Sequence, residues 1–228
     1  MPSMSAYSFA RRLDRGLRRT GNKADPYYGR YKTKARFMRL FSGMARNSHN
    51  RIGGLNELVM KNEYDLASIE RIKTVLIKNR MSLSVAESVT SGHLQAALSL
   101  AQEASRFFQG GITVYNSGQK TRHLKVEPIS ALECNCVGQL VSNQMAVECN
   151  AHFLSEYAIG ITGYATPVPE MGITALFAYL SVAQGDTVVL EEKIPVDRSQ
   201  PGSPPENDSY AIQVYYANRA LRHLASLL

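Results

Sequence analysis

From Met60 onward the sequence alternates between segments of helical period and short apolar runs of strand length, and this alternation limits the folds open to it. In MKNEYDLASIERIKTVLIKNR, Leu66, Ile69, Ile72, Val75 and Leu76 recur on one helical face, with Asp65 placed to cap or charge the first turn. SLSVA (82–86) reads as a strand, residues 92–102 as an Ala- and Leu-rich helix, GGITVY (110–115) as a second strand and SGQKTRHL as a polar helical turn. Ser142 precedes the periodic set Met145, Ala146, Cys149 and Phe153 and is read as a helix cap. YAIGIT (157–162) and ITALFAYLSVA (173–183) are expected as buried strands. VVLEEKIPV (188–196) alternates, and YAIQVYYANRALRHLASLL (210–228) closes the chain as an amphipathic helix. The last two strands meet across Gln184-Gly185-Asp186, a hairpin signal. The expected architecture is a three-layer α/β/α sandwich with a mixed, mostly parallel sheet.

The net charge of +7 divides unevenly along the chain. Residues 1–59 hold 13 Lys+Arg against 3 Asp+Glu, whereas 60–228 hold 13 against 16, so the part with core-forming periodicity is mildly acidic. The basic segment has sparse aliphatic residues and no sustained period, and is expected to be a disordered extension. Its interleaved Arg, Lys and Tyr suit nonspecific contact with nucleic acid, while Met60 offers an alternative start that would remove it altogether. The folded domain is assigned to 60–228. No run of 18 apolar residues and no signal segment appear, which argues for a cytoplasmic protein without a membrane span. Cys134, Cys136 and Cys149 form neither a CxxC pair nor an even disulfide set, so they are read as free, packed thiols. His93, His123, His152 and His223 fall in different elements without ligand spacing, and no metal or other cofactor is expected.

In such a fold, residues just past the carboxyl ends of the strands face the binding crevice. Four polar clusters fall there: Glu87 to Gly92, Tyr115 to Lys120, Thr162-Gly163 and Asp197-Arg198. The first, in SVAESVTSGHLQAAL, offers hydroxyl nucleophiles and helix N-terminal N–H donors aimed at an anion or a developing oxyanion. Each cluster also has a plainer reading. Ser and Thr cap helices, Lys120 could be a solvated helix lysine, Tyr115 a packed aromatic, Thr162 a turn cap and Arg198 a loop ion pair.

Together, the clusters resemble the CinA C-terminal domain family, which includes the nicotinamide-nucleotide amidases that deamidate nicotinamide mononucleotide. The family's AESCTGG is similar to AESVTSG (86–92), its GG-x-x-x-Y-S-N-x-x-K to GGITVYNSGQK (110–120), its T/S-G-x-A-G-P to TGYATP (162–167) and its G-D-R to VDR (196–198). The resemblance covers roughly the last two thirds of the chain. It implies hydrolysis of a carboxamide on a nicotinamide-nucleotide-like substrate, with release of ammonia, by Ser88 as nucleophile, Lys120 as general base and Tyr115 as an assisting hydroxyl. On the same resemblance Glu87, Thr90, Gly92, Thr162, Gly163 and Arg198 are expected to bind substrate. The implied partner is this small molecule, with homo-oligomerisation left open. Departures follow the binding side: Val89 replaces a cysteine, Ser91 a glycine, and YATPVPEMG (164–172) lacks the glycine-rich loop and its lysine. Two prolines there remove N–H donors that would hold a phosphate. The alternative is therefore a catalytically inactive member that binds a nucleotide-like ligand or a protein.

Overall fold

The computed structural model describes residues 63–200, 202–205 and 207–228, and the basic extension expected over 1–59 lies outside them. Helix α1 (Leu66–Asn79) starts where expected, at Asp65, whose carboxylate accepts from Ser68 N–H at 3.1 Å. It buries Ile69, Ile72 and Leu76 and stops at Arg80, which adopts a left-handed conformation with φ 55°. Strand β1 (Leu83–Glu87) is buried throughout, and α2 (His93–Ser99) is three residues shorter at its end than its composition suggests. After a 3-10 turn, β2 (Phe108–Thr113) stops before Tyr115. Helix α3 (Ser117–Leu124) is capped by Asn116, whose side chain accepts from Gln119 N–H.

Other features also differ from expectation. A short helix α4 (Pro128–Glu133) follows α3, capped by the Glu127 carboxylate with proline in its first turn, a pairing that the sequence carried. The next helix, α5 (Gln139–Phe153), begins before Ser142, which is therefore not its cap. The Ser142 hydroxyl instead donates across the layers, to Gly160 O at 2.8 Å and Tyr179 O at 3.0 Å. Strands β3 (Tyr157–Gly163), β4 (Phe177–Gln184) and β5 (Thr187–Pro195) and helix α6 (Ser209–Leu227) complete the chain. Strand β4 starts four residues late because Ile173 pairs with Val168 in an isolated bridge across a 3-10 turn.

The sheet order is β2-β1-β3-β4-β5. Strand β1 pairs in parallel with β2 and β3, while β3–β4 and β4–β5 are antiparallel. Four strands thus point one way and β4 the other, although only two of the four pairings are parallel. Helices α1, α2 and α6 pack one face around Val85, Ile159, Ile161 and Leu180, and α3, α4 and α5 cover the other around Ala86, Met145 and Ala158. The connection leaving β1 goes to one side, and the connection leaving β2 crosses to the other. The carboxyl end of β1 is therefore the switch point at which an open α/β sheet forms its crevice. No helix among the described residues is long and apolar enough to cross a membrane.

Helix α5 lies so close to β3 that a Cβ on Gly160 would meet the Ser142 carbonyl oxygen and Ala146 N, the latter at 2.6 Å. Both obstacles are backbone, so the helix itself must shift. Gly160→Ala is expected to lower stability by about 1–3 kcal/mol, read as a lower urea midpoint at unchanged m-value.

Candidate active site

Strand alternation divides the residues at the end of β1 between the two faces. Leu83 and Val85 point to the α1–α2–α6 side and Ala86 to the other, so Glu87 turns toward α2 and Ser88 toward α3. Glu87 is fully buried. Its carboxylate accepts from the Thr90 hydroxyl at 2.7 Å and from the N–H groups of Gly92, Leu94 and Gln95 at 3.1, 3.0 and 2.9 Å. The turn reverses through Ser91 and Gly92, both at positive φ, with Gly92 at 101°, a conformation that disfavours any side chain.

The donors expected at this helix N-terminus are therefore already engaged within the protein. Ser91 N–H bonds Ser88 O and His93 N–H bonds Thr90 O, while Glu87 takes the remainder of the first turn. Among the described hydrogen bonds, the N–H groups of Val89 and Thr90 have no acceptor. They immediately follow Ser88, where an oxyanion formed by attack of its hydroxyl would develop.

Lys120 reaches Ser88 from the neighbouring helix. It lies one turn into α3, its N–H bonded to Asn116 O, and its side chain is only 2% exposed. Its Nζ lies 2.9 Å from Ser88 Oγ and 3.2 Å from Tyr115 O, and Ser88 is itself 6% exposed. No carboxylate pairs with Lys120 among the described ion pairs. Burial lowers its pKa below the usual lysine value, opposed by the nearby Cys136 thiol. A buried amine with no carboxylate partner among the described ion pairs, hydrogen-bonded to a serine, is able when neutral to take that serine's proton.

The other expected residues take different places. Tyr115 contributes its main-chain oxygen, not its hydroxyl, because its ring is 78% exposed beyond the end of β2. Glu87, Thr90 and Gly92 build the turn from within, so direct substrate contact through their side chains or through Gly92 N–H is replaced by bonds inside the protein. The Thr162 hydroxyl is likewise engaged, donating to Cys136 O at 2.8 Å. Gly163 sits against β4, where a Cβ would meet Ala178 Cα at 2.6 Å. Arg198 is exposed in the turn after β5, on the same edge of the sheet. The segment after Thr162 is not a glycine nest. It closes on itself through the Val168–Ile173 bridge, and Tyr164 is anchored by Tyr216 and Asn135. Sequence reasoning missed the Cys136 carbonyl and the Val89 and Thr90 N–H groups because these are main-chain atoms, which residue identity does not reveal, and missed the Cys136 thiol because its place beside Lys120 depends on the fold.

Comparison with known proteins places the chain in a family. A model of the CinA C-terminal domain matches residues 66–200. A CinA-like protein of Picosynechococcus sp. is 36% identical over 104 residues, covering 45% of this chain and 25% of that relative. One from Koribacter versatilis is 32% identical over 136 residues, covering 58% and 33%. The chain thus spans a quarter to a third of the length of these curated relatives. Crystal structures of CinA superfamily proteins from Enterobacter cloacae and Escherichia coli superpose with TM-scores of 0.64 and 0.63, each at 22% identity and over 77% of this chain. They cover 99% and 96% of those proteins and share the fold described above. With the family model matching more than half of its residues, the chain belongs to the CinA C-terminal domain family.

Proposed function

We propose that this protein is a serine amidohydrolase that cleaves the carboxamide of a nicotinamide-nucleotide-like substrate and releases ammonia. The observation that carries this reading is the 2.9 Å contact between Lys120 Nζ and Ser88 Oγ, made by a buried lysine that has no carboxylate partner among the described residues. Neutral Lys120 takes the Ser88 proton as Oγ attacks the amide carbon, and the Val89 and Thr90 N–H groups receive the oxyanion. The C–N bond breaks and Lys120 returns the proton to the leaving ammonia. Water, deprotonated by Lys120, then attacks the acyl-enzyme; the acid leaves as Ser88 Oγ recovers its proton. Gly163 and Arg198 border the same edge and are assigned to the substrate side. Free cysteines suit a reducing cytoplasm. The closed, proline-bearing loop after Tyr164 favours a second reading, a silent ligand-binding member, which gains ground if a panel of nucleotides and amides yields no ammonia.

Ser88→Ala and Lys120→Ala should each abolish ammonia release, and the double variant should be no slower than either, since the two groups serve one proton transfer. Activity of the parent should rise with pH to an apparent pKa below the lysine value near 10.4. A Lys120→Ala variant that keeps most of the rate rejects the mechanism.

The same burial predicts a stability effect of defined sign. A lysine whose folded pKa is depressed binds its proton more readily in the unfolded chain, so folding is penalised at neutral pH and relieved as pH approaches the unfolded value. Lys120→Met should therefore be more stable than the parent at pH 7, with the gain shrinking toward pH ~10.4, measured by denaturant titration at both pH values.

Glu87→Gln keeps the shape but sets an amide NH2 against N–H donors. It should lower stability by about 1–3 kcal/mol and slow ammonia release per folded molecule roughly ten- to a hundredfold, the scale of a misplaced nucleophile. Rate and melting curve are measured on the same sample; an unchanged rate per folded molecule would limit Glu87 to holding the fold.

A further inference from the structure

The sheet register places the nucleophile in a row that crosses to the far edge of the sheet. Thr162 pairs with Tyr179 and Tyr179 with Lys193, and Ser88, one residue past the pair Glu87–Ile161, is level with Thr162. Leu83, Val85, Ile161, Leu180 and Ile194 pack toward α1, α2 and α6, so alternation turns Ser88, Thr162, Tyr179 and Lys193 all to the α3–α5 face. The contacts agree. Ser88 meets Lys120 of α3, and Ser181 and Glu191, two residues from Tyr179 and Lys193, meet Asn143 of α5.

Adjacent strands lie about 4.8 Å apart, which sets β5 about 14 Å from β1. Lys193 does not point away from the sheet. Its Nζ lies 4.2 Å from the Phe177 ring centroid and 5.4 Å from that of Tyr179, both on β4. The charge therefore sits about two strand spacings, roughly 10 Å, from the line of Ser88. Tyr164 packs edge-on against Phe177 at 5.6 Å and Phe177 against Tyr179 at 5.6 Å, so aromatic surface links the segment after Thr162-Gly163 to the cation. The described ion pairs do not include Lys193. Ring faces orient an ammonium but accept none of its N–H groups as strongly as an anion does.

We propose that Lys193, held over Phe177 and Tyr179, is the subsite for the phosphate of a ligand whose amide lies at Ser88. A ribose between an aromatic amide and its 5′-phosphate spans this kind of separation. That the ligand carries an amide and a phosphate rests on the proposed function; the position of the cation does not. Helix α2 cannot serve instead, because Glu87 fills its N-terminus, and the loop after Tyr164 lacks a glycine nest.

The test titrates the full chain carrying Ser88→Ala, which binds without turnover, with nicotinamide mononucleotide and with nicotinamide riboside, which lacks the phosphate. Adding Lys193→Ala should weaken mononucleotide binding by about ten- to a hundredfold, the range of a charge-assisted hydrogen bond, leave riboside binding unchanged and leave the melting temperature in place. Lys193→Arg should restore most of the loss. No binding of the mononucleotide, an unchanged affinity, or an equal loss for both ligands overturns the subsite. Ammonia release is measured separately on chains with Ser88 intact. Lys193-dependent mononucleotide binding without hydrolysis rejects the amidase reading and keeps the subsite; hydrolysis whose KM is untouched by Lys193→Ala rejects the subsite alone.

Discussion

A buried carboxylate with no cation paired to it among the described residues must be offset by hydrogen bonds, and Glu87 receives four of them from the turn that follows it. Three come from backbone N–H groups at the start of α2, so the charge also meets the positive end of the helix. This arrangement fixes the path of residues 88–92. It forces the reversal at Ser91 and Gly92, directs Ser88 to the opposite face and leaves Val89 and Thr90 as the N–H groups without an acceptor in the turn. The hydroxyls that drew attention in the sequence thus divide into two kinds. Thr90 completes the shell around Glu87, and Ser88 meets the lysine.

Lys120 is the counterpart of Glu87 on the other side of the sheet and is treated in the opposite way. Glu87 is saturated with donors, whereas Lys120 has a serine hydroxyl and one carbonyl. The sheet separates the two, because alternation at 87 and 88 sends the carboxylate and the Ser88 hydroxyl to different layers. A one-residue slip of β1 would bring the wrong side chain to α3 and present the carboxylate where the serine now stands. The pairing of Ser88 N–H with Ile161 O and of Val114 N–H with Glu87 O holds that register from both neighbours. The depressed lysine is therefore a consequence of sheet register as much as of local burial.

The sequence made much of this legible, for identifiable reasons. Every expected strand is present because each core run is bounded by turn residues, and the hairpin at Gln184-Gly185-Asp186 set the antiparallel end of the sheet. Asp65 was visible as a cap because its local chemistry is complete within four residues. Ser142 was misread because a serine at the edge of a periodic stretch looks the same whether it caps its own helix or reaches Gly160 and Tyr179 in another layer. Tyr115 and Thr162 lie at the carboxyl edge, and the contacts they make there could not be read from residue identity. The first acts through its carbonyl and the second bonds Cys136, contacts that depend on tertiary geometry alone.

The two halves of the site depend on different parts of the fold, which accounts for their unequal agreement with the family pattern. Ser88 and Lys120 are set by β1, α3 and the parallel neighbours β2 and β3, where core packing limits change on both faces. Gly163, Arg198 and the loop after Tyr164 lie along β4 and β5, where the strands are antiparallel and the outward residues of β5 are exposed. Substitution there leaves the register of β1 against β2 and β3 in place. The loop has replaced free backbone donors with its own bridge and with a buried Tyr164, and that anchor in turn holds the Asn135 side chain, one residue from the carbonyl that fixes Thr162. A glycine-rich loop would leave this corner without its anchor. The bridge that closes the loop and the contacts that hold the corner around Thr162 are thus parts of one arrangement, so the segment that departs most from the family pattern is also the one tied back onto the sheet.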